Sequence, residues 1–238
     1  MKGLCCVLVA AGLILGVSSA SFGSVIYDNI NPNGGVLFNS SENQPSQLDN
    51  GFGFDAGVAD DFRLTGSPGG WSVSDVSWYG RFVTGLPVDI GGFNIIFWPD
   101  AGGQPAGGQG PGDPPKYNQA LAIISNVPAT SVASAGGDRN FYYTATFPTP
   151  LALQDNVTYW IEIQAVTNYP PLWDPEMTLN STGGHPHYGW TFFSTPFWTG
   201  LGAAEDMAFQ LGGSAVPEPA SAVVLLGAFC GMLLRRPA

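Results

Sequence analysis

Between residues 21 and 215 apolar and polar positions alternate in short runs with a period of two, which is the signature of half-buried strands. Val76, Trp78, Gly80 and Phe82 share one face of the run 76–82. Across 92–98, Phe93, Ile95 and Phe97 alternate with Asn94, Ile96 and Trp98. Phe141, Tyr143, Ala145 and Phe147 oppose Tyr142, Thr144 and Thr146. Tyr159, Ile161, Ile163 and Ala165 oppose Trp160, Glu162, Gln164 and Val166. Shorter runs at 24–27, 59–65, 120–125, 187–193 and 206–211 bring the set to about nine strands. No helical periodicity longer than two turns occurs in this stretch. The pattern predicts an all-β fold: a single antiparallel, jelly-roll-like β-sandwich with one face of each sheet buried and the other solvated or capped.

Residues 100–115 break the pattern with a Gly- and Pro-rich stretch that removes ladder donors and has nothing to pack, so a long exposed loop is expected there. The whole composition agrees with strands and turns. The chain has 33 Gly and 20 Pro, the two poorest helix formers. Hydrophobic residues make up 45% and aromatics 13%, enough for a large core and too much for a disordered chain. The formal net charge is −11, which argues against nucleic acid and anionic membrane surfaces as partners.

The two ends read as processing signals. Lys2, an apolar run from Leu4 to Val17 and Ser18-Ser19-Ala20 describe a secretory signal peptide over 1–20, handled by the general secretion machinery and signal peptidase. At the other end Val216-Pro217-Glu218-Pro219 precedes an uncharged apolar stretch, 220–234, closed by Arg235-Arg236. As a helix that stretch spans about 22 Å at ~1.5 Å per residue, short of a ~30 Å hydrocarbon core, so it suits a transient membrane stage. The arginines would stay cytoplasmic and the body would face outward. Cys5, Cys6 and Cys230 all lie in these end segments, so the body over 21–215 carries neither a thiol nor a disulfide.

The segment 216–238, with its Pro217-Glu218-Pro219 triplet, apolar helix and terminal Arg235 and Arg236, resembles the PEP-CTERM protein-sorting signal of Gram-negative and related bacteria. Two arginines followed by Pro237-Ala238 stand where many members carry about three basic residues. The resemblance implies an exosortase as partner, cleavage near the motif, and a host that makes exopolysaccharide. Within the body, Ala59-Asp60-Asp61-Phe62-Arg63-Leu64, Val76-Ser77-Trp78-Tyr79-Gly80, Phe93-Asn94-Ile95-Ile96-Phe97 with Gly102-Gly103, Thr158-Tyr159-Trp160-Ile161 and Asp206-Met207-Ala208-Phe209-Gln210-Leu211 resemble an uncharacterised β-sandwich domain of secreted bacterial proteins with such tails. That likeness carries over no catalytic residue.

Candidate chemistry in the body is sparse. His185 and His187 are the histidine pair, separated by a proline and lacking an evident third ligand. Asp60 and Asp61 are adjacent and point to opposite faces of a strand. Asp61 and Asp206, with Asp28, Asp55 and Glu205, are the candidate calcium ligands, calcium being the one cofactor the acids suggest. Glu162 with Asp174 or Glu176 is the carboxylate pair a glycan hydrolase or lyase would need, although Glu162 reads more simply as a solvated strand residue. No Gly-x-Ser-x-Gly, Walker or dinucleotide-binding pattern occurs. Trp98, Trp173, Trp190 and Trp198 fall at strand ends or in loops, where rings either stack on sugars or cap the sandwich. The expectation is an exported protein of the cell surface or extracellular matrix, non-catalytic and structural or adhesive, linked to exopolysaccharide. A carbohydrate-binding module and a glycan hydrolase or lyase are the alternatives.

Overall fold

The computed structural model describes residues 23–30, 35–37, 45–49, 54–88, 90–107, 117–134, 137–178, 187–190, 198–200 and 206–218. These residues are all-β, the helical exception being a single 3-10 turn at Tyr117–Gln119. In chain order the strands are β1 (Ser24–Asp28), β2 (Val36–Leu37), β3 (Gln47–Asp49), β4 (Phe54–Arg63), β5 (Trp71–Thr84), β6 (Gly92–Pro99), β7 (Ala122–Val127) and β8 (Thr130–Ala133). They continue with β9 (Asn140–Leu153), β10 (Thr158–Val166), β11 (Leu172–Pro175), β12 (Met177–Thr178), β13 (His187–Trp190), β14 (Thr199–Gly200), β15 (Asp206–Met207) and β16 (Phe209–Ala215).

One sheet runs β1-β16-β5-β9-β8, with β11 also on β5. The other runs β14-β13-β4-β3-β10-β6-β7. A small third sheet, β15-β12-β2, joins them. The pairings are antiparallel except β3 with β10. The two large sheets face each other across one apolar core, to which the alternating positions contribute as the pattern predicts. Val76, Trp78 and Phe82 of β5 and Tyr143, Ala145 and Phe147 of β9 meet Phe93, Ile95 and Phe97 of β6 and Ile161, Ile163 and Ala165 of β10. Trp78 lies edge-on to Phe93 at 4.8 Å and stacks on Tyr143 at 5.4 Å. Edge-to-face rings at such distances add about 0.5–1.5 kcal/mol each beyond the area they bury.

β3 has no pattern of its own and is held by distant backbone. It enters where β4 and β10 diverge. Buried Ser46 donates its hydroxyl to Ile163 O at 2.6 Å and accepts from Val58 N at 3.1 Å, tying both strands at the fork. Gln47 donates to Thr167 O and Pro171 O and accepts from Trp173 N. The Gly-rich connection after β6 is less open than its composition suggests. Gly102 and Gly103 both have positive φ and donate to the Asp100 carboxylate, Ala106 N donates to Pro99 O, and 105–107 are buried. The remainder of that loop, 108–116, lies outside the described residues.

Candidate functional site

The outer face of the β4–β10–β6 sheet carries the densest chemistry of the described residues. Period-two projection puts Asp55, Gly57, Ala59 and Asp61 on it from β4, Trp160, Glu162 and Gln164 from β10, and Asn94, Ile96 and Trp98 from β6. This face is covered. Ala59, Ile96, Trp98, Trp160 and Trp198 form a second apolar cluster, with Tyr117 and Ala120 against it. Trp98 sits edge-on to Trp198 at 5.8 Å and is tilted against Tyr117 at 5.6 Å.

Polar groups fill the same layer. Trp98 Nε1 donates to Glu162 Oε2 at 3.0 Å, and Trp160 Nε1 donates to Asp100 Oδ1 at 2.9 Å. Asp55 Oδ1 accepts from Tyr117 Oη at 2.9 Å and from Gln164 Nε2 at 2.6 Å. Asn94 donates to Gln164 Oε1. Gly57 makes the room: a Cβ there would collide with Glu162 Oε1. Burial, reinforced by the Asp55 charge and only partly offset by the Trp98 hydrogen bond, pushes the Glu162 carboxyl up to about 8. Glu162 is therefore a neutral acid at pH 7, able to donate as well as accept. Burial also raises the Tyr117 hydroxyl, with Glu162 and Asp55 adding to it.

Several expectations change here. Glu162 is 1% exposed and is not a solvated strand residue, because the Trp98–Trp160–Trp198 layer closes over its face. Two tryptophans on the nominally polar face of neighbouring strands were the available signal. Trp98 and Trp173 are 0% exposed and Trp198 is 4% exposed, so their faces are taken by protein and none offers a stacking platform for sugar. Trp173 packs edge-on to Phe93 at 5.3 Å inside the main core. His185, and the side chains of His187 and Trp190, lie outside the described residues, as do Pro219, Arg235 and Arg236.

The imagined carboxylate pairs do not assemble. Asp174 and Glu176 flank buried Arg81 at 3.5 and 3.7 Å on the outer side of β5, with the core between them and Glu162. Burial, opposed by Arg81 and reinforced by Glu176, carries the Asp174 carboxyl up to about 8. The described candidate calcium ligands are dispersed, and Glu205 lies outside the described residues. Asp55 and Asp61 lie on the outer face of the sheet, and Asp28 accepts from Ile30 N in a local turn. Asp206 instead neighbours Asp60, whose Oδ2 accepts from Met207 N at 2.7 Å. Among the described residues no three His, Cys, Asp or Glu side chains converge as a metal cluster. An open cleft of about 550 Å³ lies beside the turn Ser67–Gly70, lined by Pro68–Gly70 and Ala152–Asp155.

Past β16 the chain stays on this turn briefly. Val216 N donates to Gly70 O at 2.9 Å, and Val216, Pro217 and Glu218 are exposed. No helix of the described residues is long and apolar enough to cross a membrane, and 220–234 lie outside them. Comparison of the chain with known protein families, curated proteins and solved structures finds no match.

Proposed function

We propose that the chain is an exported protein of the bacterial cell surface or extracellular matrix. Its body is a jelly-roll-like β-sandwich, and its tail is a membrane-inserting helix processed by an exosortase. Its role is structural or adhesive, non-catalytic, and linked to exopolysaccharide. The observation that carries this reading is the order of signals at the C-terminus: Pro217-Glu218-Pro219, an uncharged apolar run and Arg235-Arg236. The exposure of Val216–Glu218 just past the last strand supports it, because a processing enzyme needs extended chain outside the fold. The absence of thiols from the body supports it too, since such a body needs no redox partner in an oxidising compartment. A non-catalytic role is favoured by the way Glu162 and the Asp174–Glu176 pair are sealed in separate networks with the core between them.

The test is fractionation of a host that encodes an exosortase, combined with proteolysis of intact cells. The parent body is expected outside the cell and free of the inner membrane. With Pro217, Glu218 and Pro219 replaced by alanine, or with the exosortase deleted, the body is expected outside but retained by its tail. A cytosolic body, or release unchanged in both backgrounds, refutes the reading.

A further inference from the structure

The small sheet β15-β12-β2 turns Met177 and Met207 into the main core. The next residue on β12, Thr178, and the preceding one on β15, Asp206, therefore leave its other face. They are directly paired, Thr178 with Asp206, which sets their Cβ atoms about 4.5–5.5 Å apart on one face. Both are buried, Thr178 at 0% and Asp206 at 2% exposed.

A second carboxylate arrives from β4. Asp60 is 0% exposed, and its two oxygens accept from Asp61 N at 2.9 Å and Met207 N at 2.7 Å, so it sits on the peptide that joins Asp206 to Met207. The far side of Met207 is clamped as well, its carbonyl accepting from buried Asn29 Nδ2 at 3.1 Å. The neighbouring side-chain charges on Asp60 are those of Asp206 and Asp61, both acids. The described bases are engaged elsewhere or exposed: Arg81 lies with Asp174 and Glu176, Arg139 donates to Val83 O, and Arg63 faces solvent.

The independent observation is Thr178 Oγ1. It is buried and has no hydrogen-bond partner, on the same face and directly beside the Asp206 side chain. A proton shared between two carboxyls would leave that hydroxyl unused. A hard cation would use all three groups, since calcium collects six to eight oxygens from carboxylates, carbonyls, hydroxyls and water.

We propose that Asp60, Asp206 and the Thr178 hydroxyl bind a divalent cation of the calcium class, with backbone carbonyl and water oxygens completing the shell. The ion ties β4 to β12 and β15, clamping the small sheet against the sandwich. Asp61, on the opposite face of β4, takes no part. With two carboxylates the affinity falls in the range of weaker sites, Kd about 10⁻⁵–10⁻³ M. The site does not depend on the export route.

The experiment is calorimetric titration and thermal unfolding of the full chain in detergent, stripped with EGTA, at pH 7.5, with CaCl2 and with MgCl2. Calcium is expected to bind one site and raise the unfolding midpoint by several degrees at millimolar concentration, and magnesium by clearly less. Asp206→Asn is expected to weaken calcium at least tenfold, Thr178→Val severalfold, and Asp61→Asn not at all. Should Asp206→Asn fail to fold, Thr178→Val decides, being nearly isosteric and losing no existing hydrogen bond. Absence of any calcium response, binding unchanged in Thr178→Val, or loss of binding in Asp61→Asn would overturn the proposal.

Discussion

Glu162 keeps its proton through neutral pH because a ring of tryptophans excludes water from it while Asp55 stands beside it. Its folded-state pKa, about 8, lies above its ordinary value of 4.5. The folded chain thus holds a proton that the unfolded chain releases, so this group's contribution is complete below about 4.5 and vanishes as pH rises through about 8. Asp174 acts in the same direction, from 3.8 to about 8. Urea unfolding should accordingly show lower stability at pH 8.5 than at pH 5. Glu162→Gln mimics the neutral acid, so it should match the parent at pH 5 and exceed it at pH 8.5 by about 1 kcal/mol or more. A parent that grows more stable from pH 5 to 8.5 contradicts this. The inward positions of β6 and β10 were legible because alternation alone fixes them. Glu162 was not, since its environment comes from Trp198 and Tyr117, which reach it from distant loops.

β5 is the element on which most of one sheet is built, paired with β16 and β11 along one edge and β9 along the other. Its outer side holds Arg81 between Asp174 and Glu176, with side chains only 6%, 2% and 1% exposed. Its inner side leaves Gly80 bare because a Cβ there would strike the Trp173 ring. Removing the cation from a buried cluster leaves its two buried acids without their cation, so Arg81→Met should cost roughly 3–5 kcal/mol. The triple change Arg81→Met, Asp174→Asn, Glu176→Gln should recover most of that in the same urea titration. Equal losses in the single and triple variants would show that packing, and not charge, is what Arg81 supplies. The long strands could be read from sequence because each repeats its pattern several times. β3, β11 and β12 could not: Ser46, Gln47 and Asp174 find partners 93 to 126 positions away along the chain, which no local period records.

At the scale of the whole chain, an acidic, thiol-free sandwich lies between two apolar ends. The reading of the end segments as processing signals rests on charge and hydropathy alone, and residues 1–22 and 219–238 lie outside the described residues. The site chemistry was not legible, because it depends on which outer faces are covered. The last described strand stops at Ala215, and the exposed Val216–Glu218 lead into the Pro217-Glu218-Pro219 triplet. The intact mass of the protein recovered from the surface or medium of an exosortase-bearing host tests the account most directly. The expected species begins near residue 21 and has lost the apolar stretch and both terminal arginines. Recovery of the unprocessed 238-residue polypeptide, with both ends in place, would contradict it.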